Sequence, residues 1–256
     1  MYDITKLVTE STFKKLLEVL PTPRQRKTGR KRVDKEALVN GILQVLVNGV
    51  SWKKMAECGC SYVSCWRYFK ELQRRGKLQL IYQGLAKEKT DIIECSSDTD
   101  TIRSFRFKKG VGWDGKHKVN GTKISLIGDR NGLPSDIEVD SAKIHDKNYL
   151  YRHLENTAGR RKKILNLDKI YTSADLRREM RQKGTYINMQ TKRGDYIRKR
   201  GPKFKFKEEE YKIRFKIERT FGWLEAFKRL MTRVDRHLSS FRGFVYLAAI
   251  VILIRN

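Results

Sequence analysis

Residues 211–228, YKIRFKIERTFGWLEAFK, decide how the rest of the chain is interpreted. Apolar residues recur in this stretch at steps of four, four and three, the spacing that lines one side of an α-helix. They are Ile213, Ile217, Phe221 and Leu224. Tyr211, Arg214 and Glu218 follow a neighbouring stripe, so one carboxylate lies among basic residues at the edge of a buried face. Glu218 is either a solvated residue of an amphipathic helix or part of a site, and an aspartate in each of two strand-like runs upstream favours the site.

The charge of the chain indicates its partner. Lys and Arg number 57 against 29 Asp and Glu, a formal net charge of +28 over 256 residues. Such a charge repels itself in a compact state unless a polyanion is the usual partner, so nucleic acid is expected before an anionic membrane surface. The 39% of hydrophobic residues suffice for the core of one or two domains.

Apolar runs and cysteines indicate a cytoplasmic, nucleoid-associated protein with no membrane partner. We find no N-terminal run that resembles a signal peptide, and the apolar residues 244–254 are too few to cross a bilayer, so they predict a buried terminal helix. Cys58, Cys60, Cys65 and Cys95 form no secreted disulfide framework, and the lack of a nearby His weakens a zinc site. We expect reduced, mostly buried thiols.

Residues 1–33 are predicted to be an N-terminal helix and a basic linker. An amphipathic helix over 11–20 ends before Pro21. The linker is either a solvated, flexible run of like charge or an arm that follows DNA phosphates. Its basic residues are Arg24, Arg26, Lys27, Arg30, Lys31 and Arg32.

Residues 34–91 are predicted to be a helical DNA-binding region. Asp34 can cap a helix that runs through Val47, a turn follows at Asn48-Gly49, and a short helix starts at Ser51. After a break at 58–60, a longer helix covers 61–75, and residues 77–91 form a helical or irregular bridge into a second domain. Three helices with a glycine-bearing turn before the last are the outline of a helix-turn-helix, although many three-helix units bind no DNA.

The last of these helices would read the major groove. Its outward residues are expected to be Tyr62, Ser64, Arg67, Lys70 and Glu71, and its packing residues Val63, Trp66, Phe69 and Leu72. Arg67 and Lys70 are therefore predicted DNA contacts.

Residues 92–256 change to strand-like runs over 92–105, 117–128 and 133–142, with a hairpin turn at 130–132 between the last two. A helix over 146–154, a strand over 163–168, a helix over 173–183 and a strand over 185–190 follow. This order predicts an α/β fold, an RNase H-like mixed sheet with flanking helices preceded by an all-α helix-turn-helix region.

Parallel strands would bring Asp168 to a crevice at their carboxyl ends. The basic insertion loop 190–210 is either disordered or a flap over DNA.

Three carboxylates at the edges of separate elements suit two-metal chemistry. They can hold two divalent ions about 3.5–4 Å apart and clamp the attacking and leaving oxygens of a phosphodiester. Mg²⁺ prefers such oxygen ligands, and Mn²⁺ can substitute for it. Glu218 and Asp168 are two candidates. Asp98 and Asp100 point to the same face of one strand, so spacing alone does not choose the third.

Motifs over most of the chain from about residue 35 resemble the DDE transposases of bacterial insertion sequences, in the group named after insertion sequence five. The glutamate block of that group has Tyr, then Arg three residues on, then Glu four beyond, as in Tyr211, Arg214 and Glu218. The other matching positions are Gly49-Val50-Ser51-Trp52, Asp98-Thr99, Ile102-Arg103, Thr122-Lys123-Ile124, Asp129, Gly132, Pro134, His145-Asp146, residues 167–171 (LDKIY), 175–177, 219–221 and the tail from 232–235 to Ala248-Ala249.

The resemblance implies that Asp98, Asp168 and Glu218 are the catalytic and metal-binding triad. It favours Asp98 over Asp100 because the basic residue that the group has five positions after its aspartate corresponds to Arg103.

The chain departs from the group at two positions. Seven residues after Glu218 the group usually has Lys, and this chain has Glu225, so a basic contact passes to Lys228 or is lost. Two residues after Asp98 the group tends to have Thr, and this chain has Asp100.

Further residues are expected around the triad. Asp146 is expected to cap the helix that follows it. His145 either has no role at the site or contacts a proton or phosphate there. Groups expected beside the metal ligands are Asp100, His145 and Tyr211, and further DNA contacts are Lys123, Arg214, Arg219 and Lys228.

The resemblance implies a Mg²⁺-dependent transposase that binds the terminal inverted repeats of its element, cuts and joins them to target DNA, and forms at least a homodimer in the synaptic complex. A DNA-binding regulator that descends from a transposase and has lost catalysis is the alternative, which Asp100 and Glu225 keep open. A basic RNA-binding protein is a third, but it would not need three carboxylates at these places.

Overall fold

A computed structural model describes residues 6–24, 28, 31–104, 109–171, 174–190 and 205–256. Within these ranges the protein is mixed α/β, with a helical N-terminal region followed by a sheet with helices on both faces. The strands are β1 (Glu94–Arg103), β2 (Gly112–Asp114), β3 (Val119–Asp129), β4 (Pro134–Ser141), β5 (Ile164–Leu167) and β6 (Tyr186–Asn188). The helices are α1 (Glu10–Val19), α2 (Lys35–Asn48), α3 (Tyr62–Arg74), α4 (Lys77–Lys89), α5 (Asp146–Asn156), α6 (Ala174–Gln182), α7 (Glu208–Tyr211), α8 (Arg214–Glu225), α9 (Lys228–Met231) and α10 (Leu238–Arg255).

The long strand β1 occupies the middle of the sheet. It pairs antiparallel with β3 and parallel with β5. β4 extends the sheet antiparallel beyond β3, and β6 extends it parallel beyond β5. The predicted strands are confirmed, but β2 is missed because its three residues carry no alternating pattern.

The predicted hairpin turn between β3 and β4 is confirmed. Asp129 Oδ1 accepts hydrogen bonds of 2.8 Å from the backbone N–H groups of Asn131 and Leu133. Gly132 has φ of 85°, and a Cβ there would lie 2.7 Å from the carbonyl oxygen of Lys216. Glycine is therefore required both by the turn and by the close approach of α8.

Side chains of the sheet pack on two different helical layers. Leu126 and Ile124 belong to a core shared with α8 and α10, whereas Ile127, the residue between Leu126 and Gly128, belongs to a core with α5 and α6. Successive residues of a strand point to opposite faces, so this division is what a sheet covered on both sides requires.

The N-terminal helices begin and end where the sequence predicts. Asp34 accepts a hydrogen bond from the Glu36 N–H and caps α2, and Gly49 ends α2 with φ of 67°. Ser61 caps α3 by accepting from the Ser64 N–H. The short helix after Ser51 is a single 3-10 turn.

Burial on α3 differs from the prediction at Trp66, which is 41% exposed. Cys65, Tyr68, Phe69 and Leu72 form the buried face instead. Phe69 and Leu72 are buried as predicted, but the first turns of the helix bury Cys65 in place of its neighbour Trp66.

The apolar C-terminal helix α10 joins the N-terminal helices to the sheet. Phe69 of α3 stacks on Phe244 of α10 with ring centroids 4.3 Å apart, and Trp52 lies 6.0 Å from Phe244. α10 has the length and composition of a membrane span, but 72% of that segment is buried inside the protein, as in the core helix of a globular fold. The prediction of a buried terminal helix is confirmed.

Residues 211–228 do not form one continuous helix. α7 ends at Tyr211, α8 starts at Arg214 after a turn, and α9 starts at Lys228. Ile217 and Leu224 are fully buried as predicted, whereas Ile213 and Phe221 are half-buried.

Candidate active site

Two of the predicted carboxylates lie side by side at the centre of the sheet. The parallel register of β1 and β5 pairs Ser97 with Leu167. Asp98 and Asp168 directly follow these two residues, so they lie next to each other at the end of the paired segment. Asp98 pairs across the sheet with Leu126, which faces α8, and side chains paired in this way share a face. β1 continues beyond Asp98, whereas β5 ends one residue before Asp168. The site lies where β5 ends.

Arg214, the first residue of α8, connects these two aspartates. Its Nη2 lies 2.8 Å from Asp98 Oδ2 and 3.8 Å from Asp168 Oδ2. Burial by itself lowers the pKa of this guanidinium, but the charge of Asp98, with Tyr211 and Asp168, raises the pKa well above its usual value. Arg214 Nη1 also donates to the Tyr211 hydroxyl at 3.3 Å. The guanidinium thus neutralises two carboxylates that would otherwise repel each other.

Glu218 lies one turn further along α8. Residues four apart on a helix share a face, so Glu218 lies on the same side as Arg214 but is exposed. The oxygen atoms of the three carboxylates do not all lie within 4.8 Å of one another. Two ions about 3.5–4 Å apart need no such closeness, because each outer carboxylate binds a different ion. The donor set of carboxylate oxygens fits Mg²⁺ or Mn²⁺.

The two positions at which the chain departs from the resembling group are neighbours in space. Burial raises the pKa of Glu225, and the negative charge of Asp100 raises it further. Asp100 pairs with Ile124 and so points to the α8 side of β1, as Asp98 does. Sequence comparison position by position does not reveal this link, because 125 positions of chain separate the two residues.

Glu225→Lys should stabilise the protein, because a repulsive neighbour of Asp100 becomes an attractive one. We expect the free energy of unfolding in urea to rise by about 0.5 kcal/mol at neutral pH. Glu225→Gln, which removes the repulsion only, should give a smaller gain. That gain should be absent below the ordinary pKa of 4.5, where the glutamate is protonated in both states, and complete above the raised folded-state pKa. A gain from Gln that does not vary with pH would contradict the Asp100 contact.

The helix cap predicted at Asp146 is wrong by one residue. His145 caps α5, since its Nδ1 accepts from the Lys147 N–H, and Asp146 is the first residue of the helix. Asp146 is instead buried, with Oδ1 2.6 Å from Lys123 Nζ. Lys123, an expected DNA contact, is thus 9% exposed in its side chain and held in an ion pair.

His145 lies at a separate opening beside the sheet. It is exposed and lines a cavity of about 230 Å³ together with Trp113, Lys116 and Lys143. The described residues that line this cavity include none of the three carboxylates.

Other predicted DNA contacts differ in their surroundings. Arg67 is exposed on α3, whereas Lys70 Nζ donates to Ser240 Oγ at 3.1 Å and is partly buried. Arg219 donates to the Asn131 carbonyl and lies 5.0 Å over the Trp223 ring. Lys228 starts α9, where its backbone packs against Gly49.

The basic linker is only partly described. Arg24 and Lys31 are exposed, and Arg32 Nη1 lies 3.9 Å from Glu71 Oε2 of α3. Outside the described residues lie Arg26, Lys27 and Arg30 of the linker and residues 191–204 of the predicted insertion loop.

Tyr171 is a neighbour of the carboxylates that the sequence does not single out as a site residue. Burial raises the pKa of its hydroxyl well above the usual value, and the charges of Asp146 and Asp98 raise it further. The hydroxyl is buried and makes no hydrogen bond with the described residues. It therefore stays protonated. The signal in the sequence is its place three residues after Asp168.

A serine, a histidine and an aspartate also lie in contact on the α5 side of the sheet. Ser125 Oγ is 2.8 Å from His153 Nε2, and His153 Nδ1 is 2.7 Å from Asp136 Oδ2. Ser125 and His153 are fully buried, so no substrate reaches the hydroxyl. This arrangement fastens α5 to β3 and β4.

Comparisons with known proteins show which family the chain belongs to. Residues 89–254, more than half of the chain, match the family described as "Transposase DDE domain", and residues 8–82 match a domain of transposases of the IS4/5 family. The 16.2 kDa protein of insertion element IS402 from Burkholderia cepacia is 35% identical over an alignment of 92 positions, and the match covers 33% of this chain and 63% of that protein. The chain thus spans less than two thirds of the length of this relative.

A solved structure supports the fold. The piggyBac transposase in a cryo-EM synaptic complex with hairpin DNA superposes with a TM-score of 0.51 and 9% identity, over 99% of this chain and 72% of that chain. Fold and site together define a mixed α/β protein with paired aspartates at the centre of its sheet and a strongly basic composition. The chain belongs to the DDE transposase family.

Proposed function

We propose that the protein is a DNA transposase that binds the ends of its insertion element and cuts and rejoins DNA with Asp98, Asp168 and Glu218. The observation that carries this proposal is the parallel pairing of β1 with β5, which brings Asp98 beside Asp168 although 70 positions separate them. α8 then adds Glu218 from the third block of the resemblance.

The sheet supports an RNase H-like assignment of the catalytic part. Apart from β2, the strands lie in the order β4, β3, β1, β5, β6. β3 runs antiparallel to both of its neighbours, β1 and β4, and the two later strands run parallel to β1. An antiparallel group of strands followed by parallel strands that alternate with helices is the pattern that the sequence predicts for such a sheet.

A division near residues 82–92 between DNA-binding and catalytic parts is supported by the two separate family matches, 8–82 and 89–254. The proposed regions remain 1–33, 34–91 and 92–256. The N-terminal helices share their core with α10, so we expect them to need the rest of the chain for stability. DNA-binding experiments should therefore use the full chain.

The proposed chemistry assigns each residue a role. Asp98, Asp168 and Glu218 would hold two Mg²⁺ ions, which activate water or a 3′-hydroxyl and stabilise the leaving oxygen when bound. Arg214 orients Asp98 and Asp168. Synapsis of two ends makes a homodimer the smallest active assembly, acting on DNA in the cytoplasm.

Binding to DNA should be dominated by phosphate contacts, because a net charge of +28 is met mainly by the DNA backbone. We expect the affinity for any duplex to fall steeply with salt in a fluorescence anisotropy titration, with a smaller residual preference for the element's ends. A log–log salt slope near zero would remove the electrostatic basis of the proposal.

Arg67→Ala should weaken binding to the element's ends more than binding to unrelated duplex, because Arg67 is exposed on α3. We expect a loss of about 1–3 kcal/mol on the specific site, measured in the same titration. Arg74→Ala, an exposed arginine at the other end of α3, is the matched control. An equal loss on both duplexes would reduce Arg67 to a phosphate contact.

A further inference from the structure

Three cysteines converge beside the start of α3. Cys60 Sγ lies 3.7 Å from Cys58 Sγ and 3.2 Å from Cys65 Sγ, and the three sulfur atoms all lie within 4.8 Å of one another. Cys58 and Cys60 belong to the loop before α3 and are partly exposed, whereas Cys65 lies in the helix and is buried. The sequence conceals this group because its spacing matches no common metal-binding motif.

The separations suit a shared ion. Zinc binds thiolate sulfur at about 2.3 Å, so sulfur atoms around a tetrahedral zinc lie roughly 3.8 Å apart. A disulfide would bring two sulfur atoms to about 2.0 Å and leave the third without a role. The Cys58–Cys60 separation of 3.7 Å matches this distance, and the Cys60–Cys65 separation of 3.2 Å would widen by about 0.6 Å when the ion binds.

Gly41 of α2 makes the room for these thiols. A Cβ at this position would lie 2.5 Å from Cys65 Sγ and 3.1 Å from Cys58 Sγ. A glycine inside a helix costs about 1 kcal/mol relative to alanine. Gly41 thus lowers the stability of α2 but leaves space for the sulfur atoms against the helix backbone.

We propose that Cys58, Cys60 and Cys65 bind one Zn²⁺ ion through their three sulfur atoms, with water as the fourth ligand. The ion would connect both cysteines of the loop to the first turns of α3 and fix the entry of that helix. The Ala56 N–H already donates to Gln44 Oε1 of α2 at 2.8 Å, so the loop is attached at its other end. This site is separate from the carboxylates and takes a cation that prefers sulfur.

Cobalt substitution tests the site on the reduced full chain under anaerobic conditions with excess Mg²⁺. We expect one equivalent of Co²⁺ to produce a thiolate-to-metal charge-transfer band and tetrahedral visible bands, both removed by Zn²⁺. We expect Cys58→Ser and Cys60→Ser each to lower the affinity for Co²⁺ at least about 100-fold. Loss of a residue that only hydrogen-bonds to a metal ligand already costs up to about 100-fold, and loss of the ligand itself should cost more. Zn²⁺ should also raise the Tm of the parent and not of these two variants.

Two control variants make the result specific. Cys95→Ala removes the remaining cysteine, which is buried on β1, and should keep the cobalt bands. Asp98→Ala should also keep them, because the carboxylate site contributes no sulfur. The proposal is overturned if the parent gives no thiolate band, if Cys58→Ser and Cys60→Ser bind Co²⁺ like the parent, or if the protein from cells contains a Cys60–Cys65 disulfide in place of metal.

Discussion

Replacing Asp98, Asp168 or Glu218 singly with alanine should abolish Mg²⁺-dependent cleavage of DNA that carries the element's ends. Each change removes one proposed metal ligand, and removal of one member of a catalytic group typically costs about 10⁴-fold or more in rate. Binding of the same DNA should remain nearly intact, because none of the three residues belongs to the N-terminal helices. Cleavage of labelled duplex on denaturing gels and anisotropy with the uncleaved duplex measure the two properties separately.

Asp100→Ala is the matched control. Asp100 lies on the same face of β1 two residues further on, about 6–7 Å along the strand, and its charge acts on Glu225. We expect measurable cleavage from this variant. An inactive Asp100→Ala beside an active Asp98→Ala would show that the wrong aspartate of β1 has been assigned. Parental cleavage by all four variants would refute the two-metal assignment, and a parent that binds the ends without cleaving any DNA would favour the regulator.

Arg233→Met should destabilise the fold more than any other single change considered. The Arg233 side chain is 1% exposed, and its guanidinium donates to Thr122 Oγ1 at 2.6 Å and to the carbonyls of Lys109 and Gly110 at 2.8 Å each. Burial lowers its pKa, although Asp235 acts in the opposite direction. Its backbone N–H donates to the Arg103 carbonyl at the end of β1.

Loss of these donors leaves buried acceptors without partners, which costs about 3–5 kcal/mol. We expect the Tm to fall by roughly 6–20 °C, since 1 kcal/mol shifts the Tm of a chain this size by about 2–4 °C. Arg236→Met, an exposed arginine three residues away, should change the Tm by little. Equal Tm values for the two variants would show that the buried contacts of Arg233 add no stability.

Local structure followed largely from local sequence. Asp34 and Ser61 cap helices as expected, because an N-cap requires only a side-chain oxygen and a nearby N–H. The hairpin at 130–132 formed for the same reason. Errors arose where a distant partner decides the outcome, as at Asp146, which pairs with Lys123 of β3 while His145 becomes the cap.

The candidate site was predictable as a set of residues but not as an arrangement. The resemblance selected Asp98, Asp168 and Glu218, and the parallel pairing of β1 with β5 then placed the two aspartates together. The sequence did not indicate that Arg214 would connect them, nor that Asp100 and Glu225 would be neighbours. These relations depend on where α8 crosses the sheet.

The sequence by itself determined the net charge, the caps of α2 and α3, most of the order of strands and helices, and the family. Each of these depends on residue type or on spacing within a few positions of the chain. Only the tertiary structure decided that Cys58, Cys60 and Cys65 meet beside Gly41, and that α10 joins the N-terminal helices to the sheet. The physical reason is that packing brings together side chains whose separation along the chain carries no information about their separation in space.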